Sequence, residues 1–157
     1  LFGIADGVGS YREVGIDPSL FSSSLMKCCS RKSSTVIKNQ ELPDCKQIIA
    51  EGYNQLMASE KKIYGGSTIN ITCFDHQSGE LSISNLGDSK VMVIQPSKKK
   101  LFSTNSQQHY FNCPYQLSIT PKNIIQTNPP NALLKTEEFS LNLCHRDIII
   151  IGTDGFF

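Results

Sequence analysis

The chain has 157 residues, of which 39% are hydrophobic and 18% are charged, so it is long enough to bury a core as one globular domain or as part of one. Its formal net charge is +1, which gives no electrostatic reason to expect binding to nucleic acid or to an acidic membrane surface. No apolar run approaches the roughly 20 residues that a transmembrane helix needs, so none is expected in this sequence.

The cysteines bear on the compartment of the protein, and the two ends of the sequence bear on whether the domain is complete. None of the six cysteines lies in a C-x-x-C pair, and the adjacent Cys28 and Cys29 suit neither a simple disulfide nor a zinc site. This favours an intracellular protein whose reduced thiols serve as small core residues. The sequence opens without Met inside an apolar stretch and stops directly after a turn, so we expect it to be an excerpt that lacks both ends of a domain.

Near the N-terminus, an apolar stretch leads one carboxylate into a turn that contains glycine. Residues 1–5 (LFGIA) precede Asp6, and four isoleucines at 148–151 precede Asp154; each Asp is followed by Gly. Two buried strands that end in this way would place both carboxylates side by side at one edge of a sheet. Carboxylates that close repel each other unless a cation lies between them, and a hard divalent cation is the usual one. The alternative is that each Asp-Gly dipeptide only marks a turn.

Two helices are predicted after the first turn. Asp17 is a suitable N-cap followed by Pro, and apolar residues at helical spacing continue this helix to about Ser30. Residues 30–40 are polar and predict an irregular segment. A second helix is predicted to begin near Asp44, with a single apolar stripe that faces the core. The stripe consists of Ile48, Ile49, Tyr53, Leu56 and Met57.

The apolar period then changes to 2, which predicts antiparallel strands in a meander. The predicted strands occupy residues 69–74, 81–85, 91–94, 101–103, 136–143 and 147–153. The basic run at 98–100 is interpreted as a solvated hairpin turn, and residues 104–130 predict a long loop. Helices followed by strands indicate an α+β fold in which the helices cover an antiparallel sheet.

Two further segments allow a functional and a structural interpretation. Residues 65–68 (GGST) could cradle a phosphate, but they lack the Lys of a P-loop, and a strand start where the backbone crosses closely is favoured. His109, in a polar and aromatic segment, could line a pocket or could be an ordinary loop histidine. No Ser-His-Asp arrangement is recognisable.

Four short motifs, taken together and in order, resemble those of the metal-dependent Ser/Thr protein phosphatases of the type 2C (PPM) family. Two longer segments, 11–22 and 107–118, are similar to the mitochondrial subgroup related to yeast PTC-seven. The four motifs are ADGVG at 5–9, GST at 66–68, NLGDS at 85–89 and TDGF at 153–156.

The resemblance implies a four-layer α-β-β-α sandwich, of which residues 1–157 would form a partial phosphatase domain. It implies two Mg²⁺ or Mn²⁺ ions, with Asp6 as the bridging carboxylate, Gly7 offering its backbone carbonyl and Asp154 as a ligand of the second metal. Asp6 and Asp154 are therefore the expected catalytic residues. The implied reaction is hydrolysis of phosphoserine and phosphothreonine in protein substrates by a metal-activated water, and the implied location is mitochondrial.

The sequence also departs from the family pattern. Val8 stands where many members carry a His that is a proposed general acid, and Ser10 stands where Gly is common. The Asp-His-Lys-Pro element linked to a third metal has no counterpart at 107–112, and Gly87 with Asp88 matches only a structural turn of the family. These departures leave open a second function, a catalytically inactive phosphatase-like domain with a binding or regulatory role.

Overall fold

A computed structural model describes residues 1–39, 42–122 and 131–157 of the chain. The two α-helices of these residues are α1 (Pro18–Lys38) and α2 (Cys45–Met57). The strands are β1 (Phe2–Ile4), β2 (Gly65–Ser67), β3 (Ile69–Phe74), β4 (Glu80–Leu86), β5 (Lys90–Gln95), β6 (Lys100–Ser103), β7 (Gln108–Tyr110), β8 (Cys113–Pro114), β9 (Leu117–Ile119), β10 (Glu137–Asn142) and β11 (Ile148–Gly152). Short 3-10 turns lie at Gly9–Val14, Pro96–Lys98 and Ala132–Lys135.

Both helices begin where their capping residues predict. The Asp17 carboxylate accepts a hydrogen bond from the backbone N–H of Ser19 at 2.9 Å, and Pro18 fills the first position of α1. Asp44 caps α2 in the same way by accepting from the backbone N–H of Gln47 at 2.9 Å. Each cap satisfies a donor that the first helical turn would otherwise leave unpaired, and each is worth about 1 kcal/mol.

The second half of α1 differs from the prediction. The sequence predicts an end near Ser30 and an irregular segment at 30–40, but the helix continues to Lys38. The hydroxyl of Ser33 donates to the carbonyl of Cys29 at 2.8 Å, so this polar side chain is satisfied within the helix. The Ser-rich second half of α1 can thus be helical, and its packing along α2 supports the helix. The last residue of the predicted irregular segment lies outside the described residues.

The larger strands form two antiparallel sheets. The first has the order β1-β3-β4-β10 and the second has the order β11-β5-β6. The chain leaves β4 in the first sheet and enters β5 in the second, so the predicted meander is divided at the turn that contains Gly87 and Asp88. The predicted solvated turn at 98–100 is confirmed as the connection from β5 to β6, with Lys99 in the left-handed region at φ 50°.

Two apolar clusters hold the layers together. The first lies between the helices and the first sheet, and the second lies between the two sheets, where Leu81 and Ile83 of β4 face Val91 and Val93 of β5. Each such fully buried side chain stabilises the fold by about 1.5–3 kcal/mol. The described residues thus form a helix layer, a sheet layer and a second sheet layer, and the expected α+β class is confirmed. The main large apolar members of the first cluster are Phe21, Leu25, Ile48, Ile49, Leu56, Ile69, Ile71, Leu86 and Leu117.

The predicted long loop is wrong over residues 108–119. This segment contains the β7–β8 hairpin and the strand β9, which pairs with β2. These strands have only two or three residues, which is too short for an alternating pattern to be visible in the sequence. The later part of the predicted loop, residues 123–130, lies outside the described residues.

The predicted apolar stripe of α2 faces the core as expected, except at its end, where Met57 is 41% exposed. Within the residues that the structure describes, no helix combines the length and hydrophobicity that crossing a bilayer requires.

Candidate active site

Three turns meet at one end of the two sheets and enclose a pocket of about 390 Å³. Asp6 follows β1, Asp88 lies between β4 and β5, and Asp154 follows β11. Glu13 adds a fourth acidic side chain to the lining, whereas none of the lining residues that the structure describes is Lys, Arg or His. The pocket therefore carries a concentrated negative charge.

The structure brings Asp6 and Asp154 together, but by a different route from the one predicted. β1 is an edge strand of the first sheet and β11 is an edge strand of the second, so the two carboxylates meet between stacked sheets and not along one sheet edge. The prediction that both strands are buried is also wrong, since Phe2 is 56% exposed and Ile148 is 50% exposed. An edge strand lacks a neighbour on one side, which accounts for that exposure.

The turn at Asp6 is held by the segment at 65–68. The backbone N–H of Thr68 donates to the carbonyl of Asp6 at 3.0 Å, and the hydroxyl of Ser67 donates to the same carbonyl at 2.9 Å. The N–H of Asp6 in turn donates to the Thr68 hydroxyl at 3.2 Å. The favoured interpretation of this segment as a strand start with closely crossing backbone is confirmed, and its effect is to hold the Asp6 backbone in place.

Glycine is required at two of the turns that form the pocket. A Cβ atom on Gly7 would lie 2.4 Å from the carbonyl oxygen of Pro18, because the turn packs directly on the start of α1. Gly87 has φ +104°, and a Cβ there would lie 2.6 Å from the Thr68 methyl carbon. At Gly155, by contrast, nothing lies within 4 Å of the Cβ position. Of the two glycines in the Asp-Gly dipeptides, only Gly7 is therefore closely packed.

The electrostatics of the site follow from this crowding. The pKa of Asp6 is raised above its ordinary value, first by burial, then by the charge of Asp154 and a hydrogen bond between the two carboxyl groups, and then by the charge of Asp88. The backbone N–H of Gly7 acts in the opposite direction. A divalent cation would relieve the repulsion, and carboxylate oxygens are ligands that Mg²⁺ and Mn²⁺ prefer.

The residues present fit such a cation as a pair of ligands. Asp6, Asp88 and Asp154 line the same pocket, and burial, then the charges of Asp154 and Asp88, raise the pKa of Asp6. In the part of the chain that the structure describes, no group of three or more His, Cys, Asp or Glu side chains is gathered closely enough to hold a metal without movement. The donor set is therefore a carboxylate pair, to which Gly7 would add its backbone carbonyl.

The histidine that the sequence singled out does not line this pocket. His109 is exposed on the β7–β8 hairpin, and its ring packs on that of Tyr115 with centroids 4.4 Å apart. Val8 does line the pocket and brings no titratable group to it. Among the residues described, the pocket thus has no histidine that could serve as a general acid.

Sequence reasoning missed several residues that line the pocket. The sequence assigns Asp88 only to a structural turn, although it lies just after the end of a strand, as Asp6 and Asp154 do. That shared position at a strand end is the signal that could have identified it. Asn112 and Pro114 come from the β7–β8 hairpin, and no pattern in the sequence places this hairpin near Asp6.

Comparison with known proteins finds relatives that are named protein phosphatases. No family profile matches the chain. Protein phosphatase PTC7 homologs are 35% identical in Danio rerio and 36% identical in Homo sapiens, in each case over 100% of this chain. The chain covers 52% and 51% of these proteins, so it spans about half the length of the curated relatives it matches.

A solved structure agrees with this relationship. The X-ray structure of the photosystem II phosphatase PBCP superimposes with a TM-score of 0.76 at 32% identity, and the match covers 99% of this chain and 55% of that one. Its fold confirms the α+β class expected from the sequence. The family resemblance carried by the four motifs is therefore confirmed, and the chain is homologous along its whole length to protein phosphatases of the type 2C (PPM) family.

Proposed function

We propose that the protein containing this chain hydrolyses phosphoserine and phosphothreonine in protein substrates, and that it requires Mg²⁺ or Mn²⁺. The observation that carries the proposal is that Asp6 and Asp154, which are far apart in the sequence, line one pocket together with two further acidic side chains. The relatives support it, since they are named protein phosphatases. The substrates of this protein are phosphoproteins under this proposal.

Asp6, the backbone carbonyl of Gly7 and Asp154 would hold the two metal ions. When bound, these ions would activate a water for attack on phosphorus and offset the negative charge of the transferred group.

The chain's own contribution is orientation and charge. Ser67 and Thr68 hold the Asp6 backbone, and the packing of Gly7 on Pro18 prevents the turn from rotating. The acidic lining would repel a phosphate dianion from the metal-free pocket, because no cationic side chain is among its described lining residues. Substrate binding is therefore expected to depend on the cation, in addition to the chemical step.

The test is turnover of phosphoserine and phosphothreonine peptides by the full-length protein, with Mn²⁺ or Mg²⁺ and with EDTA. Activity should require the cation, and Asp6→Asn combined with Asp154→Asn should lower kcat by at least about a hundredfold. Glu60→Gln removes one carboxylate from an exposed position outside the pocket and should leave activity unchanged. Turnover that survives both EDTA and the double substitution would eliminate the proposed mechanism.

A second function is favoured by Val8. This residue lines the pocket where many relatives carry a proposed general acid, so a phosphatase-like domain that binds phosphopeptides without hydrolysing them remains the alternative. Under that alternative, the Mn²⁺-loaded full-length protein would bind a phosphopeptide and release no phosphate from it. Multiple turnovers of the same peptide exclude it.

The resemblance to the PTC-seven subgroup also supports a mitochondrial location. Imaging of the tagged full-length protein together with a mitochondrial marker tests this. A distribution that excludes mitochondria would contradict the proposed location without affecting the proposed reaction.

A further inference from the structure

Glu13 is the acidic side chain of the described pocket lining that does not come from the end of a strand. It lies in the 3-10 turn at Gly9–Val14, between β1 and α1. Because it lines the pocket and is also exposed, Glu13 lies where the pocket opens to solvent.

The Glu13 carboxylate has no partner in the part of the chain that the structure describes. It takes part in no ion pair and accepts no hydrogen bond among these residues. Arg12, its neighbour in the sequence, is exposed too but does not line the pocket. An exposed carboxylate gains little stability from an ion pair, so Glu13 needs none for the fold and is available to a bound molecule.

The turn that carries Glu13 is fixed to the body of the protein. The backbone N–H of Val8 donates to the carbonyl of Gly66 at 3.0 Å, and the Tyr11 ring packs so closely on Gly66 that a Cβ there would lie 2.8 Å from Cε2 of the ring. The N–H of Ile16 donates to the carbonyl of Tyr11 at 3.0 Å and closes the turn. The backbone at Glu13 is therefore placed before a ligand arrives, which lowers the ordering cost of a contact with it.

The position of Glu13 makes the pocket sensitive to the charge of a substrate around its phosphate. Under the proposed function, the phosphate lies beside Asp6 and Asp154, and the residues that flank the phosphorylated one pass over the opening of the pocket. No cationic side chain is among the described lining residues, so the charge of Glu13 is not cancelled there. Glu13 therefore attracts Arg or Lys in the flanking residues and repels Asp or Glu.

We propose that Glu13 is a specificity-determining residue that favours phosphoproteins with Arg or Lys next to the phosphorylated Ser or Thr. The inference rests on the proposed function, since it takes this pocket as the place where the phosphate of the substrate binds. It narrows the substrate class from phosphoproteins in general to those with a basic flank.

The test is binding of two peptides to the Mn²⁺-loaded full-length protein, measured by fluorescence anisotropy. Both peptides carry a phosphonate in place of the phosphate ester, so neither can be hydrolysed, and one has Arg and the other has Glu on each side of that residue. Glu13→Gln should shift the ratio of the two dissociation constants against the Arg peptide by about two- to fivefold, the range for an exposed ion pair. Glu13→Lys should shift the ratio further in the same direction. Glu60→Gln is the matched control, because it makes the same change at an exposed position outside the pocket, and it should leave the ratio unchanged.

A role of Glu13 in cation binding or in folding would give a different result. Calorimetric titration with Mn²⁺ should give the same affinity for Glu13→Gln as for the unsubstituted protein, and Glu13→Asp, which keeps the charge, should shift the peptide ratio less than Glu13→Gln. With hydrolysable peptides, Glu13→Gln should raise KM for the Arg peptide and leave kcat unchanged. Equal loss of affinity for both peptides, together with weaker Mn²⁺ binding, would overturn the role in specificity.

The outcomes also distinguish this inference from the proposed function. An unchanged peptide ratio in both Glu13→Gln and Glu13→Lys would overturn the inference while leaving phosphatase activity in place. The expected shift in a protein that releases no phosphate from phosphoserine peptides would support the inference and contradict the proposed reaction. Failure of the unsubstituted protein to bind either peptide would overturn both.

Discussion

Substitution of Gly7 by Ala tests how the first aspartate is held. The added Cβ would lie 2.4 Å from the carbonyl oxygen of Pro18 and 2.8 Å from its carbonyl carbon, whereas ordinary contacts of a Cβ begin near 3.4 Å. The separation must therefore grow by about 1 Å, a shift comparable to those that overpacking forces on a core. The obstructing atoms are backbone atoms at the start of α1, so they cannot move aside as a flexible side chain would.

The expected cost follows from two opposing effects. Overpacking of this kind costs about 1–3 kcal/mol. Replacement of Gly by Ala also lowers the conformational entropy of the unfolded chain, which stabilises the folded state by about 0.4–1 kcal/mol. We therefore expect Gly7→Ala to lower the free energy of unfolding by roughly 1–2 kcal/mol and to weaken Mn²⁺ binding, since the Asp6 turn must move.

Urea unfolding in EDTA, followed by circular dichroism, measures the stability, and calorimetry measures Mn²⁺ binding. The matched control is Gly9→Ala, because nothing lies within 4 Å of the Cβ position at Gly9 and the same unfolded-state effect applies. Gly9→Ala should be neutral or slightly stabilising. Equal unfolding midpoints for the two variants would refute the packing argument for Gly7.

Three further predictions concern charge and capping. Asp6→Asn should stabilise the metal-free protein at neutral pH and low salt by about 1 kcal/mol, because it removes the repulsion between Asp6 and Asp154, which is near its value in water since Asp154 is exposed. This gain in stability should shrink at high salt, and a loss of stability in urea unfolding would contradict the prediction. Because the pKa of Asp6 is raised in the folded state, its contribution to stability is complete below the ordinary value of 3.8 and is lost as pH rises through the raised value, so the advantage of Asp6→Asn over wild type should vanish in acid and grow toward neutral pH. Asp44→Ala should cost about 1 kcal/mol by removing the bond to the Gln47 N–H at the start of α2, and an unchanged urea midpoint would show that this cap is dispensable.

Most helices and strands with a strong periodic or capping signal could be located from the sequence alone. The N-caps Asp17 and Asp44 located both helix starts, and alternation located β3 and β4. It failed at the end of α1, where packing against α2 sustains a helix that its Ser-rich composition does not indicate. Tertiary contacts of this kind cannot be read from local propensity.

The site shows the same division between local and long-range information. That Asp6 and Asp154 would approach one another could be inferred from two strand ends with the same composition. That they would come from two different sheets could not, because the assignment of a strand to a sheet depends on pairing partners far away in the sequence. Asp88 and Gln108 were missed for the same reason, since their contact depends on where a short hairpin docks.

Two strands that are far apart in the sequence, β1 and β11, each supply one half of the acidic pair, and this has a consequence for folding. Before β11 joins the second sheet, Asp6 lacks Asp154 beside it, and under the proposed function the chain would then lack one ligand of the ion. Closure of such distant contacts is among the slow events of folding. Under the proposed function, an ion that binds only after both strands are in place would link the two sheets and stabilise the folded state over partly folded ones.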